Sequence, residues 1–143
     1  TLFMGGNMGV TGQYVAIRYR TVTAAEPQFG NIEFFSGTKG TSPSGNKDYA
    51  FTPGLIEDGE WHVMVFDLAA CLPEMFLPAA DGSYSANYLR LDAFGKVMST
   101  DAYLDVAWVG MDPSLDEIKA ECRDIDNIQL VTGYAQIELV PTK

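Results

Sequence analysis

The sequence has few of the residues on which most catalytic and metal chemistry depends. It contains one histidine and two cysteines in 143 residues, and the ligand spacing typical of a zinc site is absent. No apolar run approaches the ~18 residues of a membrane span, and the N-terminus lacks the basic stretch and apolar core of a signal peptide. These absences exclude a membrane protein and a small disulfide scaffold.

The composition is that of one folded domain. Apolar residues make up 47% of the chain and aromatic residues 12%, well above the content of a disordered segment. A chain of this length buries roughly two-thirds of its unfolded surface, so its core needs no metal or disulfide. We therefore expect a single module over residues 1–143. Because the chain opens at Thr1 without an initiator methionine, we expect it to be excised from a larger multidomain protein.

Basic residues are scarce, and the resulting negative charge is local. Nineteen acidic residues against nine basic ones give a net charge of −10. Residues 57–126 contain fifteen acidic and four basic side chains, whereas residues 1–56 carry a net charge of +1. Such a surface repels phosphate backbones and anionic lipids, so we expect neither nucleic acid nor a membrane as partner.

Alternating apolar and polar positions predict a protein made mostly of strands. The predicted strands are Gln13–Arg20, Asn31–Ser36, Glu60–Leu68, Asn87–Phe94, Ala102–Met111 and Ile128–Val140, the last with a bend near Gly133. Glu60–Leu68 is apolar on both faces, which indicates a central strand. The alternation predicts a core made of Val15, Ile17, Leu89, Leu91, Leu104, Val106 and Trp108. Trp61 is likewise spaced and flanked as a core residue.

One short helix is predicted near residues 114–122. Ser114 and Glu117 have the spacing of a capping box, and Leu115, Ile118 and Cys122 fall on one face at helical spacing. Many strands, long loops and a single short helix predict an all-β fold, an antiparallel β-sandwich of the jelly-roll type.

Three segments carry a resemblance to known proteins: Asp58–His62, Leu89–Asp92 and Tyr103–Gly110, followed closely by Ser114–Glu117. Their order, together with Gln13–Arg20, resembles jelly-roll carbohydrate-binding modules of the galactose-binding-like type in large secreted proteins of anaerobic gut and rumen bacteria. The resemblance implies a non-catalytic module that binds a polysaccharide and is extracellular or attached to the cell surface. Its partners would be a glycan and the neighbouring domains of the parent protein. The alternative is a structural or protein-interaction module of a bacterial cell-surface protein that binds no sugar.

A candidate glycan site follows from the faces opposite the predicted core. Sugar rings stack on aromatic side chains, and polar neighbours fix their hydroxyl groups. If the strands are neighbours with these faces aligned, a groove forms from Tyr14, Arg18, Tyr88, Arg90 and Tyr103. The competing interpretation is an Arg90–Asp105 ion pair that stabilises the fold and binds nothing.

Catalysis is not expected. Retaining glycoside hydrolysis needs two carboxyl groups about 5–5.5 Å apart, and Asp105 is the one acidic residue on its face of its strand. The single histidine, His62, lies between Trp61 and Val63, where a structural hydrogen bond is the commoner role. We therefore expect no catalytic residues.

No metal or cofactor is expected either. Asp124–Asn127 supplies too few oxygen ligands for calcium, which takes six to eight, so a structural calcium ion is conceivable but unsupported. The cysteines Cys71 and Cys122 are interpreted as buried thiols, with a disulfide between them as the alternative.

Overall fold

A computed structural model describes residues 2–4, 12–22, 33–37, 55–71, 88–92, 103–133 and 136–143. Eight strands and two short helices make up most of this part of the chain. The strands are β1 (Leu2–Met4), β2 (Tyr14–Val22), β3 (Glu33–Gly37), β4 (His62–Asp67), β5 (Tyr88–Asp92), β6 (Tyr103–Asp112), β7 (Asn127–Gly133) and β8 (Gln136–Pro141). The helices are α1 (Leu68–Cys71) and α2 (Leu115–Glu121). The prediction of a β-rich protein with few helices is confirmed.

The strands form two sheets. A three-stranded sheet has the order β1-β5-β3, and a five-stranded sheet has the order β6-β2-β4-β7-β8. The prediction that all pairing is antiparallel is wrong, because β4 and β7 run parallel, with Met64 opposite Gln129 and Phe66 opposite Val131. Some sixty residues separate these strands, which leaves ample chain for the crossover that a parallel pair requires.

Strand β4 lies at the centre of the five-stranded sheet, as its sequence predicts. Val63, Met64, Val65 and Phe66 are all fully buried. On one face, Val63 and Val65 pack with Ala16, Ile128, Ile118 of α2 and Cys122, which follows α2 directly. We call this the helical face of the sheet. Buried residues of the opposite face include Val15, Ile17, Tyr19, Met64, Phe66 and Val131.

Helix α2 begins where its capping residues predict. The Ser114 side chain accepts a hydrogen bond from the Glu117 N–H at 3.3 Å. The Ser114 N–H itself donates to Asp112 Oδ1 at 2.8 Å, so an aspartate before the helix takes the place of the glutamate in the box. The helix thereby starts on the helical face and covers it with Ile118.

The predicted core is confirmed in β2 and wrong in part of β6. Val15 and Ile17 are each 1% exposed, whereas Val106 is 37% exposed. The pairing of β2 with β6 contains a bulge: Arg18 faces Trp108, but Tyr19 faces Val106. The extra residue at Ala107 puts Val106 and Trp108 on different faces, and it breaks the alternation on which the prediction depended. The side chains of Leu89, Leu91 and Leu104 lie outside the described residues.

No helix in the described ranges is long and apolar enough to cross a membrane.

Candidate functional site

A groove of about 410 Å³ opens at one end of the five-stranded sheet. One wall is the segment that enters β4, and the other is the turn after α2 together with parts of β7 and β8. The described lining residues are Ile56, Asp58, Glu60, Trp61, His62, Asp124, Ile125, Asp126, Asn127, Gln129 and Leu139. Aromatic, amide and carboxylate groups therefore meet in one concave surface.

The first wall owes its shape to a tight turn at Asp58-Gly59. Gly59 has φ +78°, a left-handed conformation in which a glycine carries no Cβ penalty. Asp58 Oδ1 accepts a hydrogen bond from the Glu60 N–H at 2.9 Å and lies 2.8 Å from His62 Nε2. These contacts fix the chain just before β4, so that Trp61 and His62 are held at the groove.

Tyr19 anchors this wall to the floor. Its hydroxyl accepts a hydrogen bond from the Ile56 N–H at 3.1 Å and donates to Gln129 Oε1. Tyr19 is fully buried and Gln129 is 4% exposed, and the His62 ring lies 5.8 Å from the Tyr19 ring. Burial raises the pKa of Tyr19 to about 12. The hydroxyl therefore stays protonated and keeps its donor role at neutral pH.

Two arginines hold Trp61 on the helical side of the groove. The guanidinium carbons of Arg18 and Arg20 lie 5.6 and 4.8 Å from the centre of the Trp61 ring. Arg18 binds both oxygens of Asp124, at 3.0 and 2.5 Å. Arg20 binds Asp105 at 2.7 and 3.2 Å. The indole is thus positioned by cations that are themselves neutralised, and it stays only partly buried.

The second wall is tied to the end of the chain. The Thr142 N–H donates to the Asp126 carbonyl at 3.0 Å, and the Thr142 hydroxyl donates to the Ile125 carbonyl at 2.5 Å. Asp124 belongs to the same turn and is joined to β2 through Arg18. The acidic turn is therefore held from both sides.

The groove is negatively charged at neutral pH. Partial burial opposes ionisation of Asp58, but hydrogen bonds from the Glu60 N–H and His62 lower its pKa below 3.8. The hydrogen bond from Arg18 likewise lowers the pKa of Asp124. Glu60 and Asp126 are exposed on the surface. Four carboxylates line the groove, whereas its described lining contains no lysine or arginine.

The five residues of the sequence-predicted glycan site are spread over both sheets. Tyr14 and Arg18 lie on one face of β2, and Tyr103 in the adjacent strand β6 is paired with Val22. Eight residues separate the positions of Tyr14 and Tyr103 along β2, which is roughly 26 Å. Tyr88 and Arg90 belong to β5 in the three-stranded sheet. The side chains of Tyr88, Arg90 and Tyr103 lie outside the described residues.

Other residues singled out by the sequence have structural partners. Asp105 pairs with Arg20, which is the structural role foreseen for this aspartate but with a different arginine from Arg90. Cys122 is buried, Cys71 is partly buried, and both are free thiols. No group of three or more histidine, cysteine or acidic side chains is placed to hold a metal within the described residues.

Sequence reasoning missed the groove because it placed Trp61 in the core. The alternation does assign Trp61 to the same face as Val63, which packs against α2. However, Trp61 stands just before the strand, and arginines pack on it there. The usable signal was Asp58-Gly59 directly before Glu60-Trp61-His62, since a turn beside an aromatic residue places that residue at an edge.

Comparisons of the chain with protein-family models, curated proteins and solved structures gave no match.

Proposed function

We propose that this domain is a non-catalytic carbohydrate-binding module and that a segment of polysaccharide binds in the groove beside Trp61. The single observation that carries the proposal is the lining of the groove. It combines an indole that is held in place with carboxylate and amide oxygens, which are the groups that stack on sugar rings and accept hydrogen bonds from their hydroxyls. Its volume falls in the range of small-ligand sites.

The rigidity of the groove supports binding without large rearrangement. Tyr19 fixes one wall through Ile56, and Arg18 joins Asp124 to Trp61. A site whose side chains are already held loses little conformational freedom when a ligand binds, which matters for weak ligands such as sugars. The setting that fits such a module is extracellular or at the cell surface, in a jelly-roll domain of a larger protein.

A non-catalytic role is consistent with how the reactive groups are placed. Burial raises the pKa of the Cys71 thiol to about 12, so little nucleophilic thiolate forms at neutral pH. His62 is bound to Asp58 on the wall of the groove. Asp105, which the sequence suggested as a lone carboxylate, is held by Arg20.

Affinity electrophoresis against soluble plant and host polysaccharides tests the proposal. We expect at least one polysaccharide to retard the native protein, and Trp61→Ala to weaken that interaction about tenfold, which corresponds to the loss of ~1–2 kcal/mol of stacking. Because Arg18 and Arg20 also pack on the indole, Trp61→Ala changes contacts within the fold as well as the stacking surface. Trp61→Phe, which keeps an aromatic ring, and a thermal unfolding curve of each variant separate loss of binding from loss of the fold.

The variant Tyr14→Ala is the matched control for position. Tyr14 lies opposite Asp67 in β4, six residues from Trp61 and roughly 20 Å away along the strand. Binding that is lost in Tyr14→Ala, Tyr88→Ala or Tyr103→Ala but kept in Trp61→Ala would move the site to the residues predicted from the sequence. No retardation by any polysaccharide would leave the structural-module alternative.

A further inference from the structure

Among the described residues, two of the four carboxylates that line the groove have a basic side chain as partner. Asp58 is paired with His62 at 2.8 Å, and Asp124 with Arg18 at 2.5 Å. Glu60 and Asp126 stand on the two opposing walls, and both are exposed. A ligand in the groove therefore meets an exposed carboxylate from each of its walls.

The two arginines that pack on Trp61 are already occupied by carboxylates. Arg18 binds Asp124 through two nitrogens, and Arg20 binds Asp105 through two nitrogens. A guanidinium recognises an added carboxylate or sulfate best when both of its nitrogens are available. For Arg18 or Arg20 to recognise an anionic sugar in this way, the sugar would have to displace an existing pair.

We propose that the groove selects uncharged glycans and excludes glycans that carry carboxylate or sulfate groups. The inference rests on the proposed function, since it specifies the ligand class of the same site. A groove of about 410 Å³ is roughly 9 Å across if taken as a sphere, which is comparable to the Debye length of about 8 Å at physiological salt, so screening does not fully remove the repulsion between its carboxylates and an anionic group inside it. A neutral sugar meets the same oxygens as hydrogen-bond acceptors.

The test uses matched ligands that differ in charge. Each neutral hexose polymer that retards the protein, taken from mannan, galactan and mixed-linkage β-glucan, is oxidised at C6 so that primary alcohols become carboxylates on the same backbone. We expect affinity for the oxidised polymer to be lower by about tenfold or more at low salt, and the difference to shrink as salt rises.

Paired variants separate local charge from net charge. Glu60→Gln with Asp126→Asn removes two negative charges from the groove, and Glu121→Gln with Glu138→Gln removes two from exposed positions outside its lining. The readout is each protein's ratio of affinity for the neutral polymer to affinity for its oxidised form. We expect the ratio to fall several-fold in the first pair and to stay at the native value in the second.

The outcomes distinguish failure of the charge selectivity from failure of glycan binding itself. Equal binding of neutral and oxidised polymers by the native protein overturns the selectivity and leaves glycan binding intact. The same fall in the ratio for both variant pairs assigns the exclusion to overall charge and overturns the role of the groove. Absence of binding to every polymer removes the proposed function and this inference with it.

Discussion

The buried hydroxyl group of Tyr19 links the Ile56 backbone to the Gln129 side chain on one face of the five-stranded sheet. Cys71, at the end of α1, donates its thiol to the Val131 carbonyl at 3.3 Å. Burial opposes the charged form of both groups. It raises the pKa of Tyr19 from 10.0 and the pKa of Cys71 from 9.0, each to about 12.

These shifts predict a loss of stability at alkaline pH. A group whose pKa is raised by folding stabilises the native state fully below its unfolded pKa, and this contribution is lost as the pH rises to the folded pKa. For Cys71 the loss spans pH 9.0 to about 12, and for Tyr19 it spans pH 10.0 to about 12. We expect the free energy of unfolding in urea to begin falling near pH 9, by roughly 1–3 kcal/mol for the partly buried thiol.

The variant Cys71→Ala assigns this loss to its residue. It should make the fall between pH 9 and 10 smaller, leaving in that range the contribution of Cys122, whose pKa burial also raises above 9.0, before Tyr19 begins to contribute. All measurements include a reductant, so that thiol oxidation does not contribute. A fall between pH 9 and 10 as large as that of the native protein would show that Cys71 does not contribute to the early part of the loss.

For individual residues, the sequence predicted the face of the sheet on which a side chain lies better than it predicted the partners of that side chain. Alternation correctly put Tyr14 and Arg18 opposite Val15 and Ile17. It could not show that Arg18 finds Asp124, 106 residues away in the chain. A partner at that distance depends on the tertiary arrangement, and local pattern contains no information on it.

Among the helices and strands, α2 shows what a local sequence pattern can predict, and β6 shows what it cannot. Helix α2 was predicted because its signal is local: Ser114 caps the Glu117 N–H three residues on. The bulge at Ala107 in β6 has no such signal, since it exists only in relation to the register of β2. The exposure of Val106 follows from that relation. It therefore could not be read from β6 alone.

Gly12 lies where the chain enters β2, close to the end of β6. A Cβ placed on Gly12 would lie 2.5 Å from the backbone carbon of Asp112, at the end of β6. Backbone atoms cannot move aside as a flexible side chain can. We expect Gly12→Ala to destabilise the fold by roughly 1–3 kcal/mol, because the two segments must separate.

Gly110→Ala is the matched control, since it makes the same substitution in β6, where a Cβ meets none of the described residues within 4 Å. It should change the free energy of unfolding by no more than about 0.5–1 kcal/mol, in the stabilising direction. Urea unfolding of both variants beside the native protein measures the difference. Equal effects of the two substitutions would contradict a close approach at Gly12.

For the whole molecule, the sequence predicted which strand is central but not how the strands are ordered. The two apolar faces of β4 marked it as covered on both sides, and β4 does lie between β2 and β7. Its parallel pairing with β7 joins segments some sixty residues apart. Two apolar faces show that a strand is covered on both sides, but they do not show which neighbour runs parallel to it, and for this reason the all-antiparallel prediction failed there.

The order of the five-stranded sheet predicts how its stability is distributed. Strand β4 is buried throughout its centre and paired on both sides, whereas β8 lies at one end of the sheet order and Leu139 is 60% exposed. Amides that open only with global unfolding exchange slowest, and those at a frayed edge exchange by local opening. In native-state hydrogen exchange we expect residues 63–66 to exchange at the global limit and residues 136–140 at least about tenfold faster, after correction for intrinsic rates. The difference should narrow as urea is added, because global unfolding then governs exchange in both strands. If β8 is instead as well protected as β4 in the absence of urea, another surface covers the outer edge of β8, and the sheet does not end there.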